Sequence, residues 1–244
     1  GLPTDFELFQ VKALDTNTAF VVGSASVLLQ TSNGGVMWSK MATHPDLPLI
    51  QYLDVDAVDA THAWAVGGIV TDTGSISPRG GLAIAFYNGA QWQPQLLTHT
   101  LGDCNAFIGV SAVDQDNAWA VGGPNCPPYK TSDGGAIWQS VGASLDPFDT
   151  NRVVAVTRDL VWVAHDSGFR RTTNSGASWS SPSGCSGGSF CYAISAAGTQ
   201  YAWASDLTFP PGNLYRWVNG DHWESQPVPA AASVTIVSFV GARR

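Results

Sequence analysis

Short apolar segments recur along this chain, each in the same setting of polar and aromatic positions. An alternating apolar segment leads through a polar turn into a run of small residues around one aromatic side chain, as in Val110–Gly122. Alternation with a period of two is typical of half-buried β-strands. The sequence has no sustained apolar period of about 3.6 residues, which is the pattern that would predict a helix. The five aromatic positions are Phe20, Trp64, Trp119, Trp162 and Trp203. The pattern predicts five pairs of antiparallel strands and little or no helix.

A tight turn closed by a tryptophan follows each strand pair. The closing residues are Trp38, Trp92, Trp138, Trp179 and Trp223, separated by 54, 46, 41 and 44 residues. A repeat of about 40–50 residues that holds four short strands is typical of a β-propeller blade. Because the tryptophans keep the period of the repeat, we interpret them as core residues rather than as a platform for sugars. The sequence predicts an all-β fold, a five-bladed β-propeller of four-stranded antiparallel blades.

The repeat also predicts the domain organisation. We expect one propeller domain over residues 1–244, with blades at about 6–42, 51–97, 106–142, 150–183 and 190–228. Residues 233–240 are typical of an extra apolar strand, which would supplement the closing seam of the ring or begin a truncated sixth blade. Exposed sheet edges favour closure, so we expect a closed five-bladed ring.

Three of the tryptophan-closed turns share a motif with threonine first, aspartate or asparagine third and glycine fifth. Its residues are Thr31, Asn33, Gly35 and Trp38; Thr131, Asp133, Gly135 and Trp138; and Thr172, Asn174, Gly176 and Trp179. The motif resembles the Asp-box, or bacterial neuraminidase repeat, and the whole repeat is most similar to the propellers of photosystem II assembly factors and sialidase-like proteins. The resemblance implies a propeller with structural turns at its periphery. It implies no single function, because enzymes and non-enzymes share this fold.

The first strand of each repeat has one apolar face and one face that varies. The varying face is polar or charged at Gln10, Lys12, Asp54, Asp56 and Arg152, and we expect these residues to line an axial pocket. Lys12 and Arg152 would balance the two aspartates. Buried charges need partners in either case, so a ligand site and a self-neutralised channel both fit the pattern.

Asp54 and Asp56 are also the candidates for catalysis, since a glycoside hydrolase needs two carboxylates that span the scissile bond. Glu7 precedes the first strand and is the glutamate closest in sequence to the axial positions. The neighbouring repeats offer Gln10 with Lys12 and Gly109 with Ser111 at the corresponding positions, so the acid that such an enzyme needs is missing. The histidines lack ligand spacing and no glycine-rich loop opens a helix, so we expect neither a metal nor another cofactor.

The charge and the apolar runs of the chain restrict its possible binding partners and its association with membranes. The net charge of −8 disfavours binding to nucleic acid, and no apolar run is long enough for a transmembrane helix. We expect any signal peptide to have been removed, because the chain has no charged and apolar leader. The basic pairs Arg170–Arg171 and Arg243–Arg244 are interpreted as solvated surface charge.

The four cysteines are even in number and lie in loop-like contexts, which predicts two disulfides and an extracytoplasmic location. Cys104 precedes the first strand of the third repeat and Cys126 follows the second, so antiparallel pairing places them side by side. Cys185 and Cys191 flank a short loop and form the second predicted pair.

These observations favour a non-catalytic, extracytoplasmic binding scaffold for a glycan or a protein partner. We expect the chain to be a monomer. Its partner would be held in the axial pocket or on the face of the propeller where both predicted disulfides lie. One alternative is a glycoside hydrolase that uses Asp54 and Asp56. Another, implied by the resemblance, is an assembly factor for a membrane complex.

Overall fold

The computed structural model describes residues 6–70, 81–99, 104–142, 150–165, 168–183, 191–196, 198–206, 213–218, 220 and 222–227. All regular elements in these ranges are β-strands. They are β1 (Leu8–Ala13), β2 (Ala19–Gly23), β3 (Leu28–Thr31), β4 (Ser39–Lys40), β5 (Ile50–Asp59), β6 (His62–Ile69), β7 (Gly81–Tyr87), β8 (Trp92–His99), β9 (Phe107–Ala112), β10 (Ala118–Gly122), β11 (Tyr129–Thr131), β12 (Gln139–Ser140), β13 (Thr150–Ala155), β14 (Val161–His165), β15 (Gly168–Thr172), β16 (Cys191–Ala196), β17 (Ala202–Asp206), β18 (Leu214–Val218) and β19 (His222–Gln226).

The strands form five antiparallel meanders, which we number in chain order. Sheet 1 comprises β1–β4, sheet 2 β5–β8, sheet 3 β9–β12, sheet 4 β13–β15 and sheet 5 β16–β19. The first strands of successive sheets pack side by side, β1 against β5, β5 against β9, β9 against β13 and β13 against β16. Four-stranded meanders whose first strands gather together are the architecture of a β-propeller. The predicted all-β class is therefore confirmed.

Sheet 4 departs from the predicted four strands. Beyond β15 one main-chain pair is seen, in which Arg171 and Ser180 exchange hydrogen bonds of 2.9 and 2.8 Å. In sheets 1 and 3 the outer segment continues to Met41 and Val141, whose N–H groups donate back to the segment that holds the third strand. Pro182 stands at this position in sheet 4 and has no N–H to donate. Among the described residues the fourth strand of sheet 4 is therefore reduced to the pair of Arg171 and Ser180.

The hydrophobic core lies between successive sheets. In sheets 1, 3 and 4 the aromatic residue of the second strand packs against the closing tryptophan of the next sheet, as in the edge-to-face pair of Trp119 and Trp179, whose ring centroids are 6.0 Å apart. Trp162 and Trp223 form the corresponding pair at 5.2 Å. The interpretation of the tryptophans as core residues is thereby confirmed for these pairs. Trp38 differs, since 41% of its surface is exposed.

Sheet 1 presents an uncovered apolar face. Val11 is 58% exposed, whereas Val55, Val110 and Val153, which occupy the same position in sheets 2, 3 and 4, are each 4% exposed because the preceding sheet covers them. In the described part of the chain this side of sheet 1 is open to solvent. The predicted extra strand at 233–240 lies outside the described residues.

The disulfide between Cys104 and Cys126 is present, with a Cα–Cα distance of 4.9 Å, and this predicted pairing is confirmed. The two cysteines lie beside the antiparallel pair of β9 and β10, at the end where β9 begins and β10 finishes. Gly122 leaves room for the bridge, because a Cβ atom there would lie 2.6 Å from Cys126 Sγ. Cys185 and the side chain of Cys191 lie outside the described residues.

Replacing both Cys104 and Cys126 by alanine is expected to lower the free energy of unfolding by about 3 kcal/mol, because the bridge restricts the unfolded chain. Its ends are 22 residues apart in sequence. Urea denaturation of the two proteins measures the difference. A reductant added to the double variant can act only on a bridge between the other two cysteines, so any further loss of stability measures the contribution of that bridge. Unchanged stability of the double variant would contradict a stabilising role for this bridge.

Candidate functional site

The five candidate axial residues lie on the first strands of sheets 1, 2 and 4. Gln10 Nε2 donates to Asp54 Oδ1 at 3.0 Å, and Lys12 Nζ pairs with Asp56 Oδ1 at 2.5 Å. Arg152 is exposed, and its positive charge acts on Asp54. The structure therefore brings four of these side chains into direct contact across the seam between sheets 1 and 2.

Main-chain N–H groups complete the shell around both aspartates. Asp54 Oδ2 accepts the N–H of Val110 at 2.9 Å, and Asp56 Oδ2 accepts the N–H of Ala112 at 2.8 Å. The Oδ1 atom of each aspartate accepts the N–H of the residue that follows it, at 2.9 Å. All four carboxylate oxygens thus accept hydrogen bonds, and two of the donors belong to the next sheet.

Ser111 repeats this link one sheet further along. It stands where Asp56 stands in sheet 2, and its Oγ accepts the N–H of Ala155 in sheet 4 at 3.0 Å. Polar side chains of the first strands therefore join sheets 1 to 2, 2 to 3 and 3 to 4.

Electrostatics at the pair follow from this burial. Asp54 is 6% exposed, and desolvation raises the pKa of its carboxyl group, while the Arg152 guanidinium and the donors Val110 and Gln10 act in the opposite direction. Glu7 is exposed and bonds through its main chain to Ser24. The chemistry available to the two aspartates is that of acceptors for the next strand.

The three motif turns share one hydrogen-bond network. The threonine Oγ1 accepts the glycine N–H at 2.9, 2.8 and 2.9 Å in the turns of Thr31, Thr131 and Thr172. The threonine hydroxyl donates to Oδ1 of the third residue, which is Asn33, Asp133 or Asn174. The glycines have φ of 85, 88 and 82°, a region that glycine adopts without strain. The N–H of Ile137 and the Thr131 hydroxyl lower the pKa of Asp133. These contacts stabilise local turns.

A second repeat position, three residues after the closing tryptophan, supplies an acceptor for the next sheet. Met41 Sδ accepts the indole N–H of Trp92 at 3.1 Å. Gln95 Oε1 accepts the indole N–H groups of Trp64 and Trp138, each at 3.0 Å. Gln95 Nε2 also donates to a carbonyl of sheet 3 at 2.7 Å. This position therefore joins sheet 1 to sheet 2 and sheet 2 to sheet 3.

In sheets 3 and 4 the same position holds Val141 and Pro182, whose side chains have no acceptor. The indole Nε1 atoms of Trp179 and Trp223, which follow them in space, are buried and have no hydrogen-bond partner in the part of the chain that the structure describes. Buried donors of this kind are uncommon in folded proteins and each calls for an explanation. Both seams also carry a surface groove.

The groove between sheets 4 and 5, which we call the 4–5 groove, has a volume of about 410 Å³. It is lined by Arg171, Ser180, Ser181, Pro182, Ser183, Trp217 and Gly220. The guanidinium of Arg171 lies over two indoles, with its Cζ 5.2 Å from the ring centroid of Trp162 and 5.4 Å from that of Trp217. A cation over two aromatic faces is held in place without using its hydrogen-bond donors.

The groove between sheets 3 and 4 has a volume of about 320 Å³ and also contains cations, Lys130 and Arg158. Lys130 Nζ lies 5.6 Å from the ring centroid of Trp119 and donates to the carbonyl of Ser175 at 2.7 Å. Its charge is therefore already engaged by a neighbouring sheet.

Sequence reasoning identified the axial aspartates but missed Gln95 and Arg171. Arg171 was interpreted as solvated charge, yet it is only partly exposed and stacks on two indoles. A usable signal is its place in the repeat, directly before the threonine of the motif, where Lys130 stands in sheet 3. Among the described residues no cluster of histidine, cysteine, aspartate and glutamate is placed to hold a metal ion, and no helix there could cross a membrane.

Comparison with solved structures reveals propellers of several kinds. YCF48 from Cyanidioschyzon merolae gives a TM-score of 0.63 at 17% identity, over 100% of this chain and 92% of that chain. YCF48 bound to D1 peptide gives 0.53 at 20% identity, over 76% and 59%. Virginiamycin B lyase from Staphylococcus aureus gives 0.69 at 10% identity, over 92% and 71%.

An ancestral GH74 enzyme gives a TM-score of 0.63 at 14% identity, over 90% of this chain but 31% of that chain. This chain therefore spans less than a third of that enzyme. The sequence matches no protein-family model and no curated protein. At these identities the likeness establishes the fold, which enzymes and a peptide-binding protein share.

Proposed function

We propose that this chain is a non-catalytic module that binds a protein partner outside the cytoplasm. The observation that carries the proposal is the saturation of the axial carboxylates: every oxygen of Asp54 and Asp56 accepts a hydrogen bond within the protein. Glycoside hydrolysis needs one carboxyl group that gives up a proton and another that attacks or activates water. Neither aspartate is free for such a step.

A protein partner is supported by the structure of YCF48 bound to D1 peptide, a propeller of similar fold. An extracytoplasmic location is supported by the Cys104–Cys126 disulfide, since such bridges persist in oxidising compartments. We further propose that residues 1–244 form one monomeric, closed five-bladed ring. In this arrangement the strand predicted at residues 233–240 would supplement the seam that closes the ring.

Capture from an extract of the native source tests the function. The immobilised chain is expected to retain a protein that protease treatment of the extract removes, and the purified protein should then bind the chain in solution by calorimetry. The same chain carrying Trp162→Ala, which disrupts the core, serves as the control for nonspecific retention.

Two outcomes would overturn this function. Retention that survives protease but is lost after periodate oxidation would identify a glycan as the partner. Turnover of chromogenic glycosides that Asp54→Asn abolishes would instead establish a glycoside hydrolase.

A further inference from the structure

The 4–5 groove contains Arg171, which pairs with none of the carboxylates in the described ranges. In the described part of the chain Arg171 makes no ion pair, and its Nε is buried without an acceptor. Arg216, on the neighbouring strand β18, shows the ordinary arrangement, with Nη2 3.6 Å from Glu224 Oε2. A guanidinium positioned by two indole rings is restrained in its direction, and its outer N–H groups remain available to a ligand.

Two further buried donors lie in or beside the groove. Trp217 lines the groove and Trp223 is in ring contact with it; each is 3% exposed, and neither indole N–H has a partner among the described residues. Ser180, Ser181 and Ser183 also line the groove, where the Ser180 hydroxyl donates to the Arg171 carbonyl and Ser181 Oγ accepts from Arg170. None of the described residues that line the groove is acidic. The chemistry that complements such a surface is an anion with at least two acceptor oxygens.

Comparison with the seam between sheets 1 and 2 shows why the space exists. There Met41 is 8% exposed, fills the position of Pro182 and accepts the indole N–H of Trp92. Pro182 is shorter and has neither the sulfur atom nor an N–H. The groove and the unpartnered indole N–H of Trp223 therefore share one origin, the proline at this repeat position.

We propose that the 4–5 groove binds a carboxylate side chain on an acidic segment of the partner, with Arg171 as the residue that pairs with it. This inference rests on the proposed function for the class of partner, and on the groove for the chemistry. A carboxylate matches the two parallel donors of a guanidinium, which gives direction as well as affinity. The groove volume of about 410 Å³ is ample for an aspartate or glutamate side chain and its neighbours.

The test is a titration of the isotopically labelled full chain, followed through the indole N–H resonances of its tryptophans. The probe is a short synthetic peptide rich in aspartate and glutamate, and its match carries asparagine and glutamine at the same positions. We expect the acidic peptide to shift the Trp217 resonance saturably and the amide peptide to leave it unchanged. Arg171→Gln is expected to weaken binding roughly 10- to 100-fold, as loss of a charge-assisted hydrogen bond implies.

Two further variants keep the outcome interpretable. Arg216→Gln removes an arginine from the next strand outside the groove lining and should bind the peptide as the unchanged chain does. Pro182→Met restores the residue found in sheet 1, so it should fill the groove and abolish binding while the fold is retained. The spectrum of unbound tryptophans reports folding of each variant directly.

Equal affinity of the Arg171→Gln and unchanged chains would overturn the assignment of Arg171. Equal affinity for the acidic and amide peptides would overturn the carboxylate, and binding of a short polygalacturonate without the peptide would overturn the class of partner. A captured protein that binds equally well to the Pro182→Met chain would leave the proposed function standing and remove the groove from it.

Discussion

Replacing Asp54 by asparagine is expected to lower the free energy of unfolding by about 2–4 kcal/mol, because buried donors then face a donor. In the native chain Asp54 accepts from Gln10, Val55 and Val110, the last of which belongs to the next sheet. Asparagine offers one acceptor oxygen and turns an N–H₂ group toward one of these donors. Arg152 also loses the negative charge that faces it. Urea denaturation at neutral pH measures the change.

The matched control is Asp116→Asn, an exposed carboxylate at the turn before β10, which should change stability by less than about 0.5 kcal/mol. The opposite result, unchanged or increased stability of the Asp54→Asn variant, also has a physical basis. Burial, and to a smaller extent the charge of Asp56, raises the pKa of Asp54, so a site dominated by desolvation would be equally or more stable with the neutral amide. That result would remove the stabilising role assigned to the carboxylate and reopen its use in catalysis.

Replacing Gln95 by leucine is expected to cost about 2–4 kcal/mol, because two buried indole N–H groups lose their acceptor together. Trp64 is 0% exposed and Trp138 is 9% exposed, so water does not readily replace the lost oxygen. The link from Gln95 Nε2 to the carbonyl of Gly134 is lost in the same step. Thermal or urea unfolding measures the effect, and the indole N–H resonances of both tryptophans should shift.

Gln95→Met is the matched variant with which the Gln95→Leu variant is compared. Its sulfur atom reproduces the acceptor that Met41 provides to Trp92 in the preceding seam, so it should recover part of the stability that leucine loses. Leucine and methionine variants of equal stability would show that volume, rather than the acceptor, decides the packing at this position.

The fold could be predicted from the sequence because its signals are local and repeated. The tryptophan spacing, the motif turns and the Cys104–Cys126 pairing each depend on a few neighbouring residues and on antiparallel strands. In sheet 4 the described part of the fourth strand is reduced to one residue pair, because one proline removes a hydrogen bond that the repeat otherwise supplies. The sequence shows Pro182, but the bond that it removes is defined only by comparison with Met41 and Val141 in space.

The candidate site was predicted less completely, for a physical reason. The composition of the first strands singled out Asp54 and Asp56, but their donors are main-chain N–H groups of Val110 and Ala112, about 56 residues away. A main-chain partner leaves no signature in the sequence. Arg171 was missed because its environment, two indoles from two different sheets, exists only after those sheets pack.

The links between first strands bear on how this chain tolerates rearrangement of its repeats. A ring of interchangeable units could gain, lose or reorder a copy with little penalty. Here sheet 2 presents two carboxylates that require Gln10 and Lys12 on one side and the free N–H groups of sheet 3 on the other. Excising that repeat would leave Lys12 and the N–H groups of Val110 and Ala112 without their carboxylate partners, and transposing it would separate Asp54 and Asp56 from Gln10 and Lys12. We therefore expect sheets 1, 2 and 3 to require this order along the chain.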